Sequence, residues 1–233
     1  MTNKALLLFQ LSCTTAVIHA LIPDHWLPFA LMARAQRWSD RRTAVLVGLT
    51  GMLHVLVSIA VGAAGVALGR EGARGLAERA GRPLESLAGL LLVIFGLGYG
   101  LWAHRREGLA HRAPGTRDPK APMAHGHIHA HGHLLERLFR RVVSGGALVV
   151  IVGVSPCALL VPILFAASAH SALTFLVAGL GFAVCTVGTM VGVTLFATRG
   201  MRHFDLPFFT RYGDLISGVL IAAVGLLVML EES

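Results

Sequence analysis

Long apolar runs separated by short polar stretches form the hydropathy pattern of the chain. A helix that crosses a bilayer needs about 20 mainly apolar residues, because its backbone amides must be satisfied without water. The run at 142–198 has no Asp, Glu, Lys or Arg over 57 residues, enough for two spans joined by a turn near 168–171. The pattern predicts an all-α, polytopic membrane protein with about six transmembrane helices. The runs lie at 5–22 (resumed at 26–33), 43–69, 86–103, 142–198 and 212–230.

Composition supports the same class of protein. Hydrophobic residues make up 55% of the 233 residues and charged residues only 14%, with a mean hydropathy of +0.70. A soluble domain usually carries about 25% charged residues, so the composition argues against a water-soluble enzyme. The net charge of +8 is confined to stretches between the apolar runs, which points to membrane topology and anionic lipid rather than nucleic acid. We therefore expect the lipid bilayer as partner; the sequence identifies neither protein partners nor an oligomeric state.

Lys and Arg are distributed unevenly between the two sides that the spans define. The links after the first, third and fifth spans carry 15 of these 20 residues. Because cytoplasmic loops are enriched in Lys and Arg, we expect these odd-numbered links in the cytoplasm and both termini outside it. The predicted location is the inner (cytoplasmic) membrane of the cell.

The two halves of the chain resemble each other at a nearly constant offset. His54 aligns with Cys185, and one turn later Ser58 aligns with Thr189. A Gly-x6-Gly pattern recurs in the third and sixth spans, and a proline break recurs in the first and fourth. Three spans per half would make the repeat inverted, as in secondary transporters, whose binding sites lie at matched broken helices. The alternative is chance recurrence of Gly and Pro. The predicted units are a first three-helix repeat at 1–104, a linker at 105–141 and a second repeat at 142–233.

The first span contains the strongest candidate site. His19, Asp24 and His25 flank Pro23, which cannot continue a helical hydrogen-bond ladder, so an unwound segment can turn all three side chains inward. Ionisable groups inside a membrane are costly and usually functional. Two imidazoles and a carboxylate suit Ni²⁺, Co²⁺ or Zn²⁺. The alternative is that Asp24 only caps the following half-helix and the histidines pack.

Further candidate ligands lie in the second span and in the second half. His54 is in mid-span, where it can face the first cluster as a fourth metal ligand, although a lone buried histidine is more often structural. Cys157, Cys185 and Thr189 occupy corresponding places in the second half. Their thiol and hydroxyl groups either extend a transport pathway or are small packing residues, and the sequence leaves both interpretations open.

The predicted linker carries a tract of alternating histidines. Its Pro-rich composition cannot build a core, so we expect a flexible cytoplasmic loop. Such a tract chelates metals and would buffer or sense them without forming the transport site. The histidines are His125, His127, His129, His131 and His133.

These motifs resemble those of the nickel/cobalt transporter superfamily, which includes permeases, efflux proteins and short urease-accessory-like members. The permease signature His-x-x-x-x-Asp-His is similar to the segment from His19 to His25, and a histidine of the next family span corresponds to His54. The efflux branch has a His-rich loop between its halves and a Pro-Cys element like the one ending at Cys157. The resemblance implies transport of Ni²⁺ or Co²⁺.

The sequence thus predicts a divalent-metal transporter rather than an enzyme, with no permanently bound cofactor. The transported ion is Ni²⁺ or Co²⁺, with Zn²⁺ as the alternative. One competing function is a membrane thiol–disulfide electron carrier that uses Cys157, but the counterpart of Cys157 in the repeat is Asp24 rather than a second thiol. Another is an exporter of small anions, which would not need His19 and His25.

Overall fold

The computed structural model describes residues 3–76, 82–112, 145–157, 159–203 and 207–231. Within this part of the chain, the regular secondary structure is entirely helical, as the sequence predicts. The predicted His-rich tract at 125–133 lies outside the described residues. The helices are α1 (Asn3–Ala20), α2 (Pro23–Ala35), α3 (Asp40–Leu76), α4 (Arg82–Arg112), α5 (Ala147–Val154), α6 (Leu160–Ser168), α7 (Ala172–His203) and α8 (Pro207–Glu231).

Within the described residues, four helical segments are long and apolar enough to cross a membrane, and α1 and α2, bent by 48° at their break, together give a fifth. α5 and α6, with 8 and 9 residues, are each too short to cross a bilayer. The expected multi-pass, all-α membrane protein is therefore confirmed in these coarse terms. A sixth span requires α5 and α6 to act as one broken helix. The four segments are Asp40–Gly69, Pro83–Arg105, Ala172–Arg202 and Tyr212–Leu230.

The distribution of apolar side chains fits a lipid environment. Large apolar residues lie on the outside, and Phe196 and Val184 are 82% and 71% exposed. Several hydroxyl residues are fully buried, among them Thr50 and Thr194, which donate to carbonyl oxygens one helical turn earlier in their own helices. Because such an outer surface is unfavourable in water, the exposed faces of the helices belong in the hydrocarbon of a bilayer.

Proline accounts for the break in the first span. α1 ends at Ala20, Ile22 is extended, and Pro23 occupies the first turn of α2, where its missing N–H costs nothing. The indole N–H of Trp26 donates to the carbonyl of Leu21 at 3.0 Å, so this carbonyl at the break keeps a partner. The break therefore lies between two stable half-helices.

The second half has a corresponding break between α5 and α6. Ser155 is extended and precedes Pro156. The backbone N–H of Cys157 donates to the hydroxyl oxygen of Ser58 at 2.8 Å, and that hydroxyl donates to the carbonyl of His54 at 2.7 Å. The Ser58 side chain thus connects the second break to α3, one helical turn from His54.

α4 and α8 pack through the glycines of the Gly-x6-Gly pattern. A Cβ at Gly96 would lie 2.5 Å from the carbonyl oxygen of Gly218, and a Cβ at Gly89 would lie 2.8 Å from that of Gly225. The pairing of early with late positions makes the two helices antiparallel. The contact needs glycine on both helices because the backbones touch.

Candidate metal centre

The break between α1 and α2 and the middle of α3 bring three histidines together. His19 lies in the last turn of α1, His25 in the first turn of α2, and His54 on the buried side of α3. The two-residue break changes the helix direction, so positions six apart in sequence can face the same point. The sequence predicts this convergence, and the structure places all three side chains in one cluster.

The three imidazoles lie so close together that small side-chain rotations would let them bind one ion. One ring nitrogen of each histidine lies within 4.8 Å of the others. The ring centroids of His19 and His25 are 4.5 Å apart, those of His25 and His54 are 5.1 Å apart, and those of His19 and His54 are 5.7 Å apart. The ring of His25 makes angles of 71° and 85° with those of His19 and His54, whereas the rings of His19 and His54 are nearly parallel, at 21° to each other.

Several ring nitrogens in this cluster are buried and have no hydrogen-bond partner among the residues that the structure describes. They are Nε2 of His19 and both Nδ1 and Nε2 of His54, whose side chain is 1% exposed. The carbonyl groups of Val152 and Ser155, beside the second break, lie near the His54 ring, but neither meets the geometry of a hydrogen bond with it. Because buried polar atoms nearly always have partners, these nitrogens mark a place where a ligand is expected.

Asp24 orients one of the three histidines. Its carboxylate contacts Nδ1 of His25, and its side chain is 26% exposed while that of His25 is 8% exposed. When the Nδ1–H group donates a hydrogen bond to the Asp24 carboxylate, the lone pair of the neutral imidazole lies on Nε2, the form that binds metal ions. Asp24 is therefore placed to position His25; its own role as a direct ligand stays a prediction.

The predicted second-half residues lie outside the three-histidine group. Cys157 is buried at the second break, where its backbone N–H bonds to Ser58. The thiol of Cys185 in α7 contacts the thiol of Cys13 in α1, a pair that the sequence gives no reason to expect. Thr189 is half-buried in α7. Whether these groups line a pathway stays a prediction, as does metal binding by the linker histidines.

A second acidic residue lies within a span, and the sequence alone did not single it out. Asp214, near the start of the last span, accepts a hydrogen bond of 2.8 Å from the phenolic hydroxyl of Tyr99 in α4. It lies two residues after the start of the apolar run, where a charged side chain reaches the headgroup region, so its position in the sequence did not indicate a buried partner. The pairing between α4 and α8 becomes visible only in the fold.

Comparison of the chain with protein families, with curated proteins and with solved structures found no match.

Proposed function

We propose that the protein transports a divalent transition-metal ion across a membrane through the cluster of His19, His25 and His54. The observation that carries this proposal is the convergence of three imidazoles at a helix break within membrane-spanning segments, with buried nitrogens that have no partner in the described part of the chain. Ionisable side chains within membrane-spanning segments are energetically costly, and they commonly mark ion pathways. Breaks of this kind form the substrate sites of secondary transporters.

The donor atoms favour late first-row metals. Three neutral imidazoles suit Ni²⁺, Co²⁺ or Zn²⁺, whereas Mg²⁺ and Ca²⁺ prefer oxygen ligands. An ion held at about 2.1 Å by each imidazole draws the nitrogens to about 3.0–3.4 Å from one another, so modest rotations close the site. The carbonyl oxygens near His54 and the carboxylate of Asp24 are further donors within reach. Protonation of the imidazoles then provides a means of release.

The packing supports an inverted repeat of two three-helix units. If α1 and α2 correspond to α5 and α6, then α3 corresponds to α7 and α4 to α8. The contacts of α1 with α7 and of α2 with α7 then have counterparts in those of α5 and α6 with α3. The self-paired helices α3–α7 and α4–α8 are both antiparallel, as a two-fold axis in the membrane plane requires. The exception is α4, which contacts α5, where the repeat calls for α6.

Transport would follow from rocking of the two halves around the cluster, the mechanism common to inverted-repeat transporters. The resemblance to the nickel/cobalt transporter superfamily makes Ni²⁺ and Co²⁺ the first ions to test, with Zn²⁺ as the alternative. The Lys and Arg distribution makes the inner membrane, with odd-numbered links in the cytoplasm, the orientation to test.

The direct test is the metal content of cells that lack their own nickel, cobalt and zinc transporters. Elemental analysis compares cells expressing the intact chain with cells expressing His25→Ala or His54→Ala at matched membrane levels. The control is His170→Ala, which removes an exposed histidine of the turn between α6 and α7.

If the intact chain lowers the cellular content of one metal and His25→Ala and His54→Ala abolish this effect, the protein is an exporter. If the intact chain raises that content and the same variants abolish the rise, it is an importer. The His170→Ala chain should behave like the intact protein in either case. No change in any of the three metals, or an equal loss with His170→Ala, contradicts metal transport by this cluster.

A further inference from the structure

Thr186 in α7 has a fully buried hydroxyl with no hydrogen-bond partner among the residues that the structure describes. Two other threonines of the same helix, Thr194 and Thr198, are equally buried, and each donates to the carbonyl one helical turn earlier, at 2.6 and 2.7 Å. A helical threonine can reach that carbonyl by rotation about χ1. The Thr186 hydroxyl does not make this bond, so it is available to a group outside its own helix.

The packing of α7 against the antiparallel α3 gives the level of Thr186 in the bundle. One turn before Thr186, Phe182 belongs to the same buried cluster as Val55 of α3. One turn after it, the sulfur of Met190 lies 3.3 Å from the position of a Cβ at Gly51. Thr186 is therefore level with the turn of α3 between positions 51 and 55, which carries the histidine of that helix.

The packing of α7 against α1 gives the same level. The hydroxyl of Ser12 donates to the carbonyl of Ala178, two turns before the threonine, at 2.7 Å. One turn further along both helices, Ala16 and Phe182 share a buried cluster. The next turn of α1 is its last, and it carries His19. The threonine thus lies level with the histidines that α1 and α3 contribute.

The buried side-chain polar atoms that lack partners gather at this level. In the described part of the chain they are Nε2 of His19, Nδ1 and Nε2 of His54, and Oγ1 of Thr186. Because buried polar atoms nearly always have a partner, four such atoms at one level point to a shared occupant. That occupant has to accept lone pairs from imidazoles and also form a hydrogen bond with a hydroxyl.

A metal ion that keeps one bound water meets both requirements. Zn²⁺ sites with three protein ligands commonly hold water in the fourth position. The lone pair of that water is directed at the metal, so the water acts as a hydrogen-bond donor. A threonine hydroxyl is a neutral acceptor for such a bond.

We propose that Thr186 completes the metal centre from the second half of the chain, by accepting a hydrogen bond from a water molecule bound to the transported ion. This proposal rests on the proposed metal transport and adds a partner for the ion's water to that site. The three histidines belong to the first half of the chain, and Thr186 belongs to the second. Rocking of the two halves therefore separates the hydroxyl from the water and weakens the site, which couples the motion to release of the ion.

The test measures the Ni²⁺ affinity of the full-length protein by competition with a chromophoric chelator. All samples carry Ser in place of the five linker histidines from His125 to His133, so that the His-rich tract cannot bind the ion. Thr186→Val keeps the shape of the side chain without its hydroxyl and should weaken binding about tenfold, as loss of a hydrogen-bond partner behind a metal ligand does. Thr186→Ser retains the hydroxyl and should bind like the intact residue. Thr194→Val is the matched control, equally buried with its hydroxyl already bonded, and should leave the affinity unchanged.

Thermal unfolding in a metal chelator checks the fold of the variants. Thr186→Val should melt no lower than the intact chain, because it loses a buried hydroxyl that has no partner. A lower melting temperature overturns the proposal, as do an unchanged Ni²⁺ affinity, a Thr186→Ser variant that binds as weakly as Thr186→Val, or an equal loss with Thr194→Val.

His54→Ala separates this proposal from metal transport itself. If His54→Ala abolishes Ni²⁺ binding while Thr186→Val binds normally, the role of Thr186 is overturned and the three-histidine centre stands. If His54→Ala leaves Ni²⁺ binding unchanged, the metal centre is contradicted, and the role of Thr186 with it.

Discussion

His54 gives the most discriminating prediction about the cluster, because a structural histidine and a metal ligand respond oppositely to replacement. The variant His54→Leu has a similar volume and no polar atoms. Both ring nitrogens of His54 are buried, and neither has a hydrogen-bond partner among the described residues. Each such atom costs about 1–3 kcal/mol, so removing both should stabilise the ion-free protein by about 2 kcal/mol after some loss of packing.

For a chain of this length, a stabilisation of about 2 kcal/mol raises the melting temperature by roughly 4–8 °C. The assay is thermal unfolding of the detergent-purified protein in a metal chelator, followed by a titration with Ni²⁺. At an ion concentration of 100 times the Kd, the intact protein gains about 2.7 kcal/mol, and this gain should vanish in His54→Leu. The variant is thus expected to be more stable without metal and insensitive to it.

Thr50→Val is the matched control, one turn earlier on α3 and equally buried. The hydroxyl of Thr50 already donates to the carbonyl of Leu46 at 2.8 Å, so its loss should change stability by less than about 1 kcal/mol and leave the response to Ni²⁺ intact. A fall in the melting temperature of ion-free His54→Leu would refute the reasoning, since it would mean that the imidazole stabilises the fold by itself.

Three further predictions concern the packing, the second break and the carboxylate. Gly96→Ala puts a Cβ 2.5 Å from backbone atoms of the facing helix and should destabilise the protein by about 1–3 kcal/mol in thermal scans. Gly98→Ala, with nothing within 4 Å, is its control, and equal effects would contradict the glycine contact. Ser58→Ala leaves the Cys157 N–H without its partner and should cost about 1–3 kcal/mol by the same assay; an unchanged melting temperature would show that the bond does not hold the break. Asp24→Asn should weaken Ni²⁺ binding about 10–100-fold in competition with a chromophoric chelator, and unchanged affinity would show that the carboxylate does not position its histidine.

The sequence predicts most of the fold because membrane helices follow directly from hydropathy. The break at Pro23 and the meeting of His19, His25 and His54 follow from proline chemistry and the cost of buried histidines. The second break is also predicted, but α5 and α6 are so short that hydropathy alone does not make them a span.

Contacts between distant helices could not be predicted from the sequence. The pairs Tyr99–Asp214 and Cys13–Cys185 depend on how α4 meets α8 and how α1 meets α7. The role of Asp24 is similar: a carboxylate next to a histidine in sequence can face the ion or the neighbouring ring, and only the geometry places it on the ring.

Counting the imidazoles around a bound ion tests the central claim most directly. The protein is loaded with one equivalent of Co²⁺ after all five linker histidines from His125 to His133 are replaced by Ser, so that the His-rich tract cannot bind the ion. X-ray absorption spectroscopy of this sample should give three imidazole ligands, falling to two in His54→Ala. The account would be contradicted if the protein bound no Co²⁺ once the linker histidines were replaced. It would also be contradicted if His54→Ala left the number of imidazole ligands unchanged.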